Sequence, residues 1–149
     1  MLEPGDKVPE FDLPDQDGVR IGSESLEGRR VVFCFYPGDF TSVCGEQLAL
    51  YESVKSDFTE AGVEIIGVSV DSTACHKAFA EKLGLTMKLL SDFHPKGEFS
   101  MACGAWSPEF GCSSRSLILM EPDGTASWIY HSEPLEVPGA NLIFDAVAS

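Results

Sequence analysis

Cys44 is the residue whose neighbours in the chain most favour chemistry. It closes the stretch Phe35-Tyr36-Pro37-Gly38-Asp39-Phe40-Thr41-Ser42-Val43-Cys44, where an apolar run stops at Pro-Gly, a polar loop follows, and a helical pattern begins. A cysteine in the first turn of a helix faces unpaired N–H groups and the positive end of the helix dipole, and both favour thiolate over thiol. The Thr41 hydroxyl, three residues upstream, is placed to hydrogen-bond the sulfur or an oxygen brought to it. Residue types and order therefore point to a nucleophilic thiol.

Four other cysteines accompany it, Cys34, Cys75, Cys103 and Cys112, so the total of five is odd and no C-x-x-C occurs. That pattern disfavours a secreted disulfide scaffold and fits a reducing cytoplasm, where a cysteine that matters does chemistry. Cys34 lies inside the apolar run Val31–Tyr36 and reads as core. Cys75 shares helical spacing with Phe79 and Leu83 and reads first as a packed thiol. Cys103 and Cys112 flank Trp106-Ser107-Pro108-Glu109-Phe110, expected to be a loop, and are available to pair with each other or with Cys44 if its helical turn unwinds.

The elements that must hold Cys44 follow from periodicity. Phe11 to Ile21 places two alternating stretches around Asp17-Gly18, predicting an N-terminal hairpin. Val31–Tyr36 predicts a central strand buried on both faces. Leu48, Tyr51, Val54 and Phe58 recur at helical spacing as far as Gly62, predicting one helix that begins near Cys44 with Thr41 or Ser42 as its cap. Val63–Val70 predicts a second strand, and Asp71-Ser72-Thr73 the start of a second helix. Arg115–Met120 and Thr125–His131, joined through Pro122-Asp123-Gly124, predict an antiparallel hairpin, with a helix over Ala140–Ala148 behind it. A βαβ half followed by a ββα half predicts an α/β thioredoxin-like fold, a central mixed sheet flanked by helices, with the hairpin as extension.

Composition bounds the rest. With 149 residues, 44% hydrophobic and 23% charged, the chain is expected to form one domain over residues 1–149. A net charge of −14 opposes nucleic acid and anionic lipid as partners. The N-terminus lacks a basic, then apolar, leader pattern and the longest apolar run is Val31–Tyr36, so neither export signal nor membrane span is expected. Cys75, His76, Cys103 and Cys112 lack paired metal-ligand spacing, and His76, His94 and His131 read as structural or surface residues. No metal or cofactor is expected.

Pro37, Thr41 and Cys44 also match the Pro-x-x-x-Thr/Ser-x-x-Cys signature of the peroxiredoxins, which the chain resembles nearly throughout: Val8-Pro9-Glu10-Phe11-Asp12-Leu13, Gly67-Val68-Ser69-Val70-Asp71 and Leu90-Ser91-Asp92 belong to the likeness. The resemblance implies that Cys44 is the peroxidatic cysteine and that Thr41 and Arg115 orient the peroxide while Pro37 shields the thiolate. It implies a peroxidase that converts hydrogen peroxide and organic hydroperoxides to water or alcohol through a sulfenic acid. Many members carry Glu three residues after the cysteine; here Glu46 is at the second position and Gln47 at the third, so the surroundings of Arg115 are expected to differ.

Subclasses that resolve the sulfenic acid within one chain place a second cysteine five residues on, where this chain has Ala49, or deep in the following helix, near Ala80. The likeness is therefore greatest to one-cysteine peroxiredoxins of the alkyl hydroperoxide reductase E-like class. These borrow an external reductant: thioredoxin, a glutaredoxin- or mycoredoxin-like protein, or a small thiol. Cys75, Cys103 and Cys112 remain candidate resolving cysteines. A homodimer or higher homo-oligomer is expected, with Phe40, Trp106 and Phe110 suited to its interface. Two rival readings use the same fold, a thiol-disulfide oxidoreductase and a non-catalytic sensor or chaperone; the first is disfavoured because Gly45-Glu46-Gln47 follows Cys44.

Overall fold

A computed structural model describes residues 1–149. The expected central strand is β3, Arg30–Phe35, whose β-branched and aromatic side chains suit a pleat buried on both faces. It lies in the middle of a five-stranded sheet. β4 (Val63–Ser69) runs parallel to β3, and β5 (Leu89–Ser91) parallel to β4. β8 (Ser116–Met120) is antiparallel to β3, and β9 (Ala126–His131) to β8. This mixed sheet with its helices is a thioredoxin-like fold. The hairpin of β1 (Asp12–Pro14) and β2 (Arg20–Gly22) forms a separate two-stranded sheet, as its Asp-Gly turn predicts.

Alternation along β3 divides the core. Val32, Cys34 and Tyr36 point into one cluster with Cys44, Leu48, Tyr51, Phe58, Phe79 and Ile143, while Val31, Phe33 and Phe35 join Leu13, Ile21, Phe99 and Cys103 in the other. At roughly 1.5–3 kcal/mol per fully buried large apolar side chain, these clusters hold the sheet that positions the loops.

Three details differ from the periodicity reading. The helix expected from Cys44 to Gly62 starts at Ser42 and is two helices, α1 (Ser42–Ser53) and α2 (Lys55–Glu60), separated at Val54, where φ −116° and ψ 20° leave the helical range while the side chain packs on the first cluster. On α3 (Thr73–Leu83), Ser72 accepts from Cys75 N–H at 3.2 Å and sets a register in which His76, Phe79 and Ala80 face the core. Cys75 is consequently turned aside and half-buried rather than packed in that stripe.

The loop expected over Trp106–Phe110 instead begins with β6 (Trp106–Ser107), which pairs with β7 (Cys112–Ser113) in a small hairpin, and α4 (Glu98–Ala102) precedes it. The buried Asp92 carboxylate caps α4 by accepting from Phe99 and Ser100 N–H at 3.2 and 2.8 Å. Trp106 packs directly on Gly97, whose φ is 71° and where a Cβ would collide with the indole. Behind the sheet, α5 (Ala140–Ala148) occupies its expected span.

Candidate active site

Cys44 is the third residue of α1, with Thr41 at the N-cap, and its side chain is fully buried. The antiparallel register pairs Phe35 with Ser116, so Arg115, just ahead of β8, lies beside the end of β3 from which the loop to Cys44 departs. Across that junction Arg115 Nη2 donates to Cys44 Sγ at 3.2 Å. Nη1 donates to Gln47 Oε1 at 2.5 Å, and Nε to the Pro134 carbonyl at 3.1 Å. Gln47 Nε2 donates in turn to Tyr51 Oη at 3.2 Å, and Tyr51 donates to the Pro138 carbonyl at 2.8 Å. Burial pushes the Tyr51 phenol well above its ordinary range, so it stays a donor.

The guanidinium is permanently charged and only 4% exposed, yet none of these three acceptors is a carboxylate. A buried cation without an anionic partner is costly, and of these three acceptors the Cys44 sulfur is the one able to carry a negative charge. Gln47, where many peroxiredoxins have Glu, orients the guanidinium without neutralising it. The whole positive charge thus stays turned toward the sulfur.

Pro37 and Thr41 rim a cavity of about 780 Å³ that also borders Arg115 and Cys112, with Trp106, Phe110 and Leu135 among its apolar walls. The Thr41 hydroxyl neither caps α1 nor reaches the sulfur; it donates to the Gly38 carbonyl at 2.9 Å. The chain turns through Phe40 at φ 61°, which folds Thr41 back over its own loop.

Residues 4–129 match the AhpC/TSA family. The chain belongs to that family. Among its relatives, a Mycobacterium tuberculosis protein named as a peroxiredoxin is 41% identical over 105 residues, 70% of this chain and 66% of the relative. Chloroplastic peroxiredoxin Q of Triticum aestivum is 35% identical over 130 residues, 87% of this chain and 59% of the relative. The aligned segment thus spans less than two thirds of the length of these curated relatives. Peroxidoxin BcpB of Mycobacterium tuberculosis superposes with a TM-score of 0.87 at 26% identity over 99% of this chain and 96% of that one. Enterococcus faecalis AhpC shares the fold, with a TM-score of 0.91 at 24% identity over 99% of this chain and 92% of the other.

In this AhpC/TSA chain the remaining cysteines sit in unlike places. Cys103 belongs to the cluster on the opposite face of the sheet from Cys44, and burial pushes its thiol up to about 12. Cys34 shares the Cys44 face, without a hydrogen-bond partner to match Arg115, and burial likewise pushes it up to about 12. Cys75 is pushed up to about 11, by burial and then by the carboxylates of Asp39 and Asp71; its sulfur lies 3.9 Å from Asp71 Oδ1. Cys112 lines the cavity, and its thiol is raised by burial and by the charge of Cys44. All five thiols are free.

A second buried network lies behind the loop, and the sequence did not single it out. His76, read as structural or surface, is fully buried, with Nδ1 2.7 Å from Asp39 Oδ2 and Nε2 3.0 Å from the Leu90 carbonyl. Tyr36 Oη donates to Asp39 Oδ1 at 2.6 Å. Only the polarity of His76 between apolar α3 positions hinted at a partner. Ligand-type atoms of Asp39, Asp71 and Cys75 also come within 4.8 Å of one another, but the carboxylates there already accept from Tyr36, His76, Ser69 and the Asp39 N–H.

Proposed function

We propose that this chain is a thiol-dependent peroxidase in which the Cys44 thiolate reduces hydrogen peroxide and organic hydroperoxides. The carrying observation is the buried Arg115 guanidinium, 3.2 Å from Cys44 Sγ and with no carboxylate among its partners. In the step, a sulfur lone pair of the thiolate attacks the terminal, hydrogen-bearing oxygen of R–O–O–H in line with the O–O bond. The S–O bond forms as O–O breaks, the departing RO⁻ takes a proton from solvent, and the products are Cys44 sulfenic acid and ROH.

Ionisation accounts for little of the acceleration such a reaction needs. An ordinary thiol of pKa about 8.5 is roughly 3% ionised at pH 7, so full ionisation gains about 30-fold, or ~2 kcal/mol. The larger part falls to donors aimed at both peroxide oxygens and to alignment. Arg115 and the backbone N–H groups at the start of α1 serve as those donors. Thr41 enters that set if its hydroxyl leaves Gly38 for the peroxide, and Pro37 covers the thiolate.

For recycling we favour the one-cysteine, alkyl hydroperoxide reductase E-like scheme, with an external thiol protein or small thiol as reductant. It is supported by Ala49 at the position of one resolving cysteine, by Cys103 across the sheet and by the suppressed ionisation of Cys75. Phe40 and Phe110, 53% and 68% exposed, suit an interface in a homodimer or higher homo-oligomer.

Mass spectrometry after one equivalent of hydrogen peroxide, with and without a sulfenic-acid trap, tests both parts. The expected product is a persistent gain of about 16 Da on Cys44, absent in Cys44→Ser, with peroxide consumption lost. Rapid linkage of Cys44 to Cys75, Cys103 or Cys112 would overturn external recycling. An unmodified Cys44 with peroxide unconsumed would overturn the peroxidase reading.

A further inference from the structure

The loop from Pro37 to Thr41 contains a conformation that a non-glycine residue does not hold unaided. Phe40 sits at φ 61° although its side chain is bulky, the backbone region in which L-residues other than Asn, Asp and Gly are uncommon. The surrounding contacts must hold this turn, and they converge on the residue before it. Asp39 is the only residue in the loop with a buried carboxylate, and every one of its polar atoms on the α3 side is engaged. Its N–H donates to Asp71 Oδ2 at 2.8 Å, its Oδ1 accepts from Tyr36 Oη at 2.6 Å, and its Oδ2 meets His76 Nδ1 at 2.7 Å.

His76 carries the restraint into the fold. Its other nitrogen meets the Leu90 carbonyl at 3.0 Å, on the strand β5, and its ring is 0% exposed. With Nδ1 against the Asp39 carboxylate and Nε2 against the Leu90 carbonyl, the imidazole ties the loop to β5. Asp71 is itself fixed, accepting from Ser69 Oγ at 2.5 Å and, through its carbonyl, from Ser91 Oγ at 2.6 Å. Next in the chain, the Phe40 ring packs edge-on against Phe79 of α3, centroids 5.2 Å apart. The strained turn is therefore bolted to α3 and to the ends of β4 and β5.

We propose that His76, acting through Asp39, is a positioning residue for the peroxide-binding loop. It holds the Phe40 turn and with it the placement of Pro37 and Thr41 at the rim of the cavity, while Arg115 is placed by the register of β3 and β8. Positional error of about 1 Å in such a site costs on the order of 100-fold in rate. Alkylation of the thiolate needs no oxygen placed against the loop. The two reactions of one sulfur consequently separate a positioning role from a merely structural one. This inference rests on the peroxidase reading above.

The experiment compares, in wild type, His76→Asn, Asp39→Asn and Tyr36→Phe, the rate constant of Cys44 oxidation by hydrogen peroxide with that of its alkylation by iodoacetamide at the same pH. Wild type should react with both. For His76→Asn and Asp39→Asn, peroxide oxidation is expected to fall about 100-fold and alkylation less than about 3-fold, with Tyr36→Phe, which keeps the His76 contact, losing about 10-fold in the first alone. Equal losses in both reactions, or peroxide rates retained in all three variants, would overturn the inference. Tyr36→Phe removes one hydroxyl and keeps the ring, so it supplies the readout should the Asn variants fail to fold. A wild type that is alkylated yet leaves peroxide untouched would strike down the peroxidase reading instead.

Discussion

Where β3, β4 and β5 end, Arg115, Gln47, Asp39, His76 and Asp92 are all less than a tenth exposed, and each has a named partner. At the opposite end of the same strands, Arg29, Arg30, Lys55 and Lys88 border an open cleft of about 550 Å³. Their pairs stay wet: Arg29 with Glu64 at 49% and 27% side-chain exposure, Lys88 with Glu64 at 36% and 27%, Arg30 with Glu121 at 25% and 27%. Charges in water are screened and contribute about 0–1 kcal/mol per pair, whereas dehydrating an ion costs several kcal/mol unless partners restore it. The difference teaches that burial, rather than the number of charges, marks the end of the sheet committed to chemistry.

The sharpest way to break that contrast is Arg115→Lys. It keeps the positive charge but cannot reach Cys44, Gln47 and Pro134 together as a planar fork does. A fall of about 100-fold or more in the second-order rate constant for hydrogen peroxide is expected in stopped-flow assays. A near-normal rate would mean that charge alone suffices.

Alkaline pH probes the buried thiols. Cys34 and Cys103 are pushed up to about 12 by burial, above the ordinary thiol value of about 8.5 that applies once the chain unfolds. With the folded value raised, the contribution to stability is full below about pH 8.5 and is lost as pH climbs toward 12. Urea melts from pH 8 to 10.5 should show stability falling by at most about 1.4 kcal/mol per pH unit for each thiol, and Cys34→Ala or Cys103→Ala should flatten that slope. Activity of the alanine variants at pH 7 should stay within about 3-fold of wild type.

Glu64→Gln at the wet end is the smallest perturbation. Removing the carboxylate shared by Arg29 and Lys88 should change unfolding free energy by less than about 1 kcal/mol, with the peroxide rate unaltered. A larger loss would erase the distinction between the two ends.

Much of the frame was legible along the chain because it depends on local patterning. The run Val31–Tyr36 announced the central strand, Pro122-Asp123-Gly124 the late hairpin, and Ala140–Ala148 the last helix. Misreadings occurred where a choice among faces or a distant contact decides: the break at Val54, the register of α3 that turns Cys75 aside, and the hairpin that Trp106 forms over Gly97. Periodicity gives the spacing of a stripe but is weak on which of two adjacent residues lies at its centre.

From order and residue type alone came the candidate nucleophile, Cys44 at a helix start behind Pro37 and Thr41, because a helix terminus and its dipole are local properties of the backbone. Arg115 was legible in the sequence only through the family resemblance; the tertiary structure decided its reach to the sulfur from 71 residues away, Gln47 holding it, the Thr41 hydroxyl turned to Gly38, and Asp39 bound to His76 behind the loop. Those contacts depend on strand register and on the dehydration of charge in a shared interior. Both arise only when remote segments close on one another.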